Sequence, residues 1–178
     1  MIAYKLLFTS PLHLSAGHEG YERTFHYIHS DTLFSAIISN WHHFYDDSIE
    51  SIIENPSFEI SSAFPFYQQD YYFPKPYLKL PVTFDETDYK TAKKLMKIKF
   101  IEKELYEKIL NRETVHIRDI HFSGSIRFMG LKKGVSDFFD EREISRNVVD
   151  RVTGCTDIFY FSEIVFLKES GLFFLANF

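Results

Sequence analysis

Leu33, Phe34, Ile37, Ile38, Trp41, Phe44 and Tyr45 recur at i, i+1, i+4, i+5, i+8, i+11 and i+12. That row lies along one side of an α-helix, whereas a strand would divide it between two faces. The spacing predicts a helix with one buried face over Ser30 to Phe44. Ser35, Ala36 and Ser39 are small enough to let it lie close against a sheet. Ser30 or Asp31 is expected to accept hydrogen bonds from the first free N–H groups, with Asp31 at the positive end of the helix dipole. The preceding Gly17 to Tyr27 stretch is polar and reads as a loop.

The segments around this helix decide the fold class. Ile2 to Phe8 alternates as a strand and is ended by Pro11. A second helical piece, Asp47 to Glu54, groups Ile49, Ile52 and Ile53 and stops before Pro56. Phe58 to Phe66 reads as a short strand. Tyr71 to Tyr77 must be extended, because Pro74 and Pro76 push their predecessors out of the α region. From Lys90 the pattern is helical, with Phe100, Ile101, Leu105, Ile109 and Leu110 on one side and Glu104 four residues before Lys108. Val115 to Phe128 alternates in part and leads into a glycine-punctuated loop, Gly124 to Gly134, that carries Lys132 and Lys133. Ile158 to Phe166 and Gly171 to Phe178 are strongly β-prone, and Lys168 to Gly171 supplies turn chemistry, so the two are expected to form a hairpin.

Strand, helix, long excursion and hairpin make three quarters of a β-α-β-β-α-β unit. The expectation is an α+β, ferredoxin-like (RRM-like) domain, incomplete because its second helix and fourth strand are absent. One domain is expected over 1–178, with an insertion at about 68–150. The apolar run Phe173 to Phe178 would leave a strand uncovered on one face, which suggests a truncated chain or half of a split protein.

Composition narrows the function. A net charge of -5 over 178 residues speaks against a simple nucleic-acid binder, but the charge is uneven. Residues 1–70 hold nine acids and two bases, whereas residues 71–178 hold sixteen acids and eighteen bases. Lys90, Lys93, Lys94, Lys97 and Lys99 form a run without an acid, which reads equally as a solvated face or as a basic patch. Most of the 20 Phe and 11 Tyr are expected in the core. The lone Cys155 offers neither an internal disulfide nor a cysteine zinc cluster. No run approaches the roughly 18 apolar residues of a membrane span, and the N-terminus lacks a signal-peptide pattern, so a cytoplasmic protein with no membrane partner is expected.

Four motifs in order carry a family likeness. They are Pro11-Leu12-His13-Leu14-Ser15-Ala16-Gly17, Ser30-Asp31-Thr32-Leu33-Phe34-Ser35-Ala36-Ile37, Ala63-Phe64-Pro65-Phe66 with Phe73-Pro74-Lys75-Pro76, and Arg146-Asn147-Val148-Val149-Asp150-Arg151 ahead of Phe159-Tyr160. Together they resemble the RAMP superfamily of CRISPR proteins, nearest to the N-terminal part of the fourth-subunit family of the type III-A Csm complex. The resemblance implies a non-catalytic, RNA-binding subunit that caps the 5′ tag of CRISPR RNA in antiviral defence. It would dock the large polymerase-like subunit and the backbone RAMP subunits, and would need no cofactor and no metal. Arg146, Asn147 and Arg151 match the family's arginine-asparagine motif and are the candidates for RNA contact. Lys75, on its proline-braced turn, is the fourth.

Other readings stay open at this stage. Arg146 and Arg151 could instead form salt bridges with Asp150 or Glu143, and Asp150 is expected to orient an arginine. Tyr71, Tyr72, Phe73 and Tyr77 suit a core or an interface better than a base-stacking platform. His13, His18, His26 and His29 cluster after the first strand, where RAMP endoribonucleases keep a general-base histidine; His13 and His29 are the candidates for such chemistry. His26 and His29 could also begin a zinc site, although their spacing alone is weak support. A purely protein-interacting fragment is the third possibility.

Overall fold

The computed structural model describes residues 1–15, 23–45, 49–54, 56–84, 89–125 and 127–178. Gly17 and His18 of the expected loop, and Asp47 at the expected start of the second helix, lie outside the described residues. The chain begins with β1 (Ile2–Leu6), α1 (Ser30–Phe44), α2 (Ile49–Glu54), β2 (Glu59–Ile60) and β3 (Phe64–Tyr67). There follow β4 (Asp70–Pro74), β5 (Val82–Thr83), α3 (Tyr89–Lys97), β6 (Phe100–Glu102), α4 (Lys103–Leu110) and β7 (Val115–His116). A 3-10 turn (Ile117–Asp119), β8 (His121–Phe122) and β9 (Phe128–Gly130) lead to β10 (Phe139–Val149), β11 (Thr156–Phe166) and β12 (Ser170–Asn177). The fold is therefore α+β and rich in strand. It divides into two compact units, Met1–Pro65 with Phe139–Phe178, and Phe66–Phe138.

In the first unit β12 is the central strand. β1 pairs with it antiparallel from Ile2 opposite Ala176 to Leu6 opposite Leu172. β2 pairs with it antiparallel along the other edge, where Ile60 also faces Ala176. Because both neighbours run against β12, β1 and β2 run the same way, and α1 lies on the chain that joins them. Leu33 of α1 packs with Ala63 and Leu172, both fully buried, in the core of this unit. Burying a leucine of this kind stabilises the fold by about 1.5–3 kcal/mol.

The apolar row of α1 is buried at its beginning and open at its end. Leu33 and Ile38 are buried, whereas Phe44 and Tyr45 are exposed. The helix also starts differently from the sequence expectation. His29, extended at φ -63° and ψ 147°, takes the N-cap position without a side-chain bond. The Ser30 amide donates to Ser62 Oγ at 3.1 Å, and the Thr32 amide donates to Asp31 Oδ1 at 3.0 Å. A serine distant in sequence thus satisfies one of the free amides that a local cap was expected to take.

The longest strands of the unit correct the expected hairpin. Ile158 to Phe166 does not pair with Gly171 to Phe178. Instead β11 pairs with β10 at every position, from Phe139 opposite Phe166 to Val149 opposite Thr156. The expected reversal is present, with Glu169 at φ 63° and the Ser170 amide donating to the Leu167 carbonyl at 3.2 Å. It delivers β12 to β1. β10 was hidden because Asp140, Glu141, Arg142, Glu143, Arg146 and Asn147 give it little intrinsic strand preference.

The second unit has its own core. β4 pairs antiparallel with β6, β6 runs parallel to β9, and β8 pairs antiparallel with β9. Here too the helical reading needs correction. Phe100 and Ile101, expected on a helix, form β6, where Ile101 faces Phe73 and is fully buried. The helix resumes at Lys103 and turns Leu105 and Ile109 inward. Those two join Ile101, Val115, Ile117 and Met129 in one apolar cluster.

Candidate nucleic-acid interface

The β10–β11 ribbon carries three of the four sequence-derived candidates, and its two ends differ sharply. At the root, Phe139 and Ile164 are buried, and Phe139 lies against Phe166 with ring centroids 5.9 Å apart. Leu12 and Ile164 exchange two backbone hydrogen bonds of 2.8 Å. The buried His26 stacks on Phe139 at 5.0 Å and places Nε2 3.2 Å from Glu141 Oε2. Beyond this root, every residue of β10 from Asp140 to Val149 is exposed. The outer half of the ribbon therefore presents both of its faces.

Pairing assigns those faces, since directly opposed residues share one and successive residues alternate. Arg142, Ile144, Arg146 and Val148 stand with Glu163, Phe161, Phe159 and Asp157. Glu143, Ser145 and Asn147 stand on the other side with Ser162, Tyr160 and Ile158. The arginine-asparagine motif is consequently split: Arg146 and Asn147 look in opposite directions. Arg146 holds its guanidinium 4.9 Å from the centre of the Phe161 ring. Such a contact attracts the charge to the ring face.

The tip is a built turn. The Asp150 amide donates to the Cys155 carbonyl at 2.9 Å, and the Gly154 amide to the Asp150 carbonyl at 2.8 Å. Asp150 Oδ1 accepts from the amides of Val152 at 2.7 Å and Thr153 at 3.3 Å. The Val152 amide first, then the Thr153 hydroxyl and amide, hold its carboxyl below the ordinary value of 3.8. Asp150 therefore shapes the turn, where sequence reasoning had it orienting an arginine. Gly154 sits at φ +70°, a conformation in which a side chain would be strained. Arg151 lies exposed within this turn, and Cys155 is exposed beside it.

Lys75 belongs to the second unit, just past β4. Its amide donates to the Lys99 carbonyl at 2.9 Å, and its Nζ donates to the Leu95 carbonyl at 2.7 Å, in the last turn of α3. One of its three ammonium protons thus serves a helix end. The histidines are also placed. His13 Nδ1 lies 2.6 Å from the Ser162 carbonyl, which can only accept, so this nitrogen carries the proton. Its ring packs on Phe161 at 4.2 Å, and Nε2 is closed off from solvent. His29 meets the rings of Phe25 and Tyr27 at 5.2 and 4.7 Å. His26 is engaged by Glu141 rather than by His29. Among the described residues no group of three or more His, Cys, Asp or Glu is disposed to hold a metal ion, and no helix is long and apolar enough to cross a membrane.

Two features of the ribbon escaped sequence reasoning. Arg142 shares a face with Arg146, and Phe161 is the ring on which both Arg146 and His13 rest. An i, i+2, i+4 reading of Arg142, Ile144 and Arg146 would have found the first, had the segment been recognised as a strand.

Known proteins resemble this chain in sequence and in fold. No family model matches the chain. A curated relative, the CRISPR system Cms protein Csm4 of Thermococcus onnurineus (strain NA1), is 31% identical over 160 residues, which are 83% of this chain and 49% of the relative. A chain of the crystal structure of the Csm1-Csm4 cassette in complex with cA4 superposes with a TM-score of 0.64 at 25% identity, over 98% of this chain and 58% of the other. A chain of the Csm3-Csm4 subcomplex of the type III-A CRISPR-Cas interference complex shares the fold, with a TM-score of 0.60 at 17% identity over 94% of this chain and 56% of the other. The chain is thus similar to the RAMP class of CRISPR proteins, as its motifs suggested. Within that class it is Csm4-like. It spans about half the length of the curated relative it matches.

Proposed function

We propose that this chain acts as a non-catalytic, RNA-binding subunit of a type III-A Csm interference complex in antiviral defence, with a cytoplasmic location. In this reading it caps the 5′ tag of CRISPR RNA and docks the large polymerase-like subunit and the backbone RAMP subunits. The observation that carries it is the exposed stretch of β10 beyond the root of the ribbon, where Arg146 lies over Phe161 and Arg142 shares its face. Interleaved cations and rings on a projecting ribbon suit single-stranded RNA, whose phosphates need fixed positive charge and whose unstacked bases need flat apolar partners. Arg151 extends the positive charge into the tip, and Asn147 offers amide hydrogen bonds from the opposite face. Lys75 is assigned a separate phosphate contact through its remaining ammonium protons.

Structural relatives solved with Csm1 and with Csm3 support the docking part. The fold agrees with a ferredoxin-like unit: β1, α1 and β2 with β12 antiparallel between the two strands reproduce its first three strands in the order 1-3-2. The sealed Nε2 of His13 supports the non-catalytic part, since a general base must reach a ribose hydroxyl. The test is an assembled Csm complex carrying Arg146→Ala with Arg151→Ala. Retention of CRISPR RNA should fall at least tenfold while the melting temperature of the isolated chain stays within about 2 °C, as for exposed substitutions. Undiminished retention would contradict the assignment.

A further inference from the structure

A second strongly charged feature lies wholly within the second unit. There a cleft of about 500 Å3 opens between the end of α4, the segment from β7 through the 3-10 turn to β8, and the loop after β9. Its lining includes Lys108, Arg118 and Lys133, one from each of these elements, against the single carboxylate of Asp119. Val115 and Leu131, which belong to the apolar cluster beneath, supply its floor. His116 and His121 complete the polar wall, and His116 Nδ1 accepts the Arg118 amide at 3.3 Å.

The loop that brings Lys133 here is held from behind. Glu102, only 3% exposed, accepts the Leu131 amide at 2.9 Å on Oε2 and lies 3.5 Å from Lys132 Nζ through Oε1. Lys132 also pairs with Asp70. The two adjacent lysines are thereby given different tasks. Lys132 is neutralised by two carboxylates and anchors the loop, while Lys133 remains exposed at the cleft. A Cβ at Gly130 would collide with the Glu102 side chain, so the close approach of β9 to this anchor requires glycine.

We propose that this cleft binds the phosphodiester backbone of single-stranded RNA, a contact additional to the ribbon site assigned above. Cations from three elements around an open, partly apolar depression spread positive charge along a path. That distribution suits successive phosphates, with a ribose or base resting on Val115 and Leu131, better than it suits one terminal phosphate group. The chain as a whole is acidic, so affinity for RNA must come from such local concentrations of charge.

The experiment measures anisotropy of a 5′-labelled, mixed-sequence single-stranded oligoribonucleotide titrated with the full chain over a range of salt concentrations. Lys108→Ala, Arg118→Ala and Lys133→Ala together should weaken binding at least tenfold and lower the salt slope by about 2, the expectation for three lost single-strand phosphate contacts. Lys133→Glu alone should weaken binding, and Lys133→Arg should keep it, which separates charge from any change of fold. Equal affinity and slope in the triple variant overturn the proposal, as does an unaltered chain that binds no oligonucleotide at low salt. Displacement of the oligonucleotide by equimolar ATP also overturns it, assigning the cleft to a free nucleotide. Arg146→Ala with Arg151→Ala is measured in parallel. Loss only in that variant overturns the cleft and leaves the ribbon reading standing, whereas loss only in the triple variant supports the cleft and counts against the ribbon.

Discussion

The root and the tip of the β10–β11 ribbon share one uninterrupted ladder yet are held by different forces. The root is fixed by burial: Ile164 against Leu12, Phe139 against Phe166 and His26, and Glu141 beside the His26 ring. The tip depends on backbone pairing and on the Asp150 turn, with Val148, Val149, Val152 and Ile158 all exposed. An isolated two-stranded ribbon is marginal in water, so the outer half persists because the inner half is packed. The difference separates stability from recognition. Root residues set whether the ribbon stands, and tip residues can serve a ligand at little cost to the fold.

The largest expected effect is at the root. Ile164→Ala removes a fully buried side chain and should destabilise the first unit by about 2–5 kcal/mol in urea unfolding. Val152→Ser at the tip, where the side chain is 93% exposed, should stay within about 0.5 kcal/mol. Comparable losses at the two positions would break the contrast. A smaller, pH-dependent effect sharpens it. The Asp150 carboxyl is held below 3.8 by the Val152 amide and by the Thr153 hydroxyl and amide, so its support of the turn is complete above that value. It declines as the pH falls through the lower folded-state value, because the protonated acid is a poorer acceptor. Amide exchange at Val152 and Thr153 should therefore lose protection in acid before exchange at Ile164 does, and Asp150→Ala should remove the difference. Equal acid response at both ends would show that the turn is not built on this carboxylate.

The parts legible in sequence were those whose signal is local. Periodicity located α1 from Ser30 to Phe44, and two prolines kept Tyr71 to Pro74 extended. The parts that escaped were decided at long range. Charged β10 becomes a strand because β11 offers it a partner, and Phe100 and Ile101 leave the helical pattern because β4 and β9 flank them. At the start of α1 the Ser30 amide is taken by Ser62, which no reading of residues near 30 would select, while Asp31 accepts the Thr32 amide as its position suggested. For the interface, motif likeness pointed to Arg146, Asn147 and Arg151, but only the pairing register shows that Arg146 and Asn147 lie on opposite faces. Arg142 and Phe161 emerged from that same register. Lys108, Arg118 and Lys133 of the cleft are dispersed through the sequence and come together only in the folded chain.

The central claim is that RNA meets the ribbon beyond its root, on the face of Arg142, Arg146 and Phe161. Photocross-linking of CRISPR RNA carrying 4-thiouridine in its 5′ tag, within the assembled complex, tests it most directly. Cross-linked peptides of this chain should fall between Arg142 and Phe161. Efficient cross-linking of the tag to this chain with none in that interval would contradict the account.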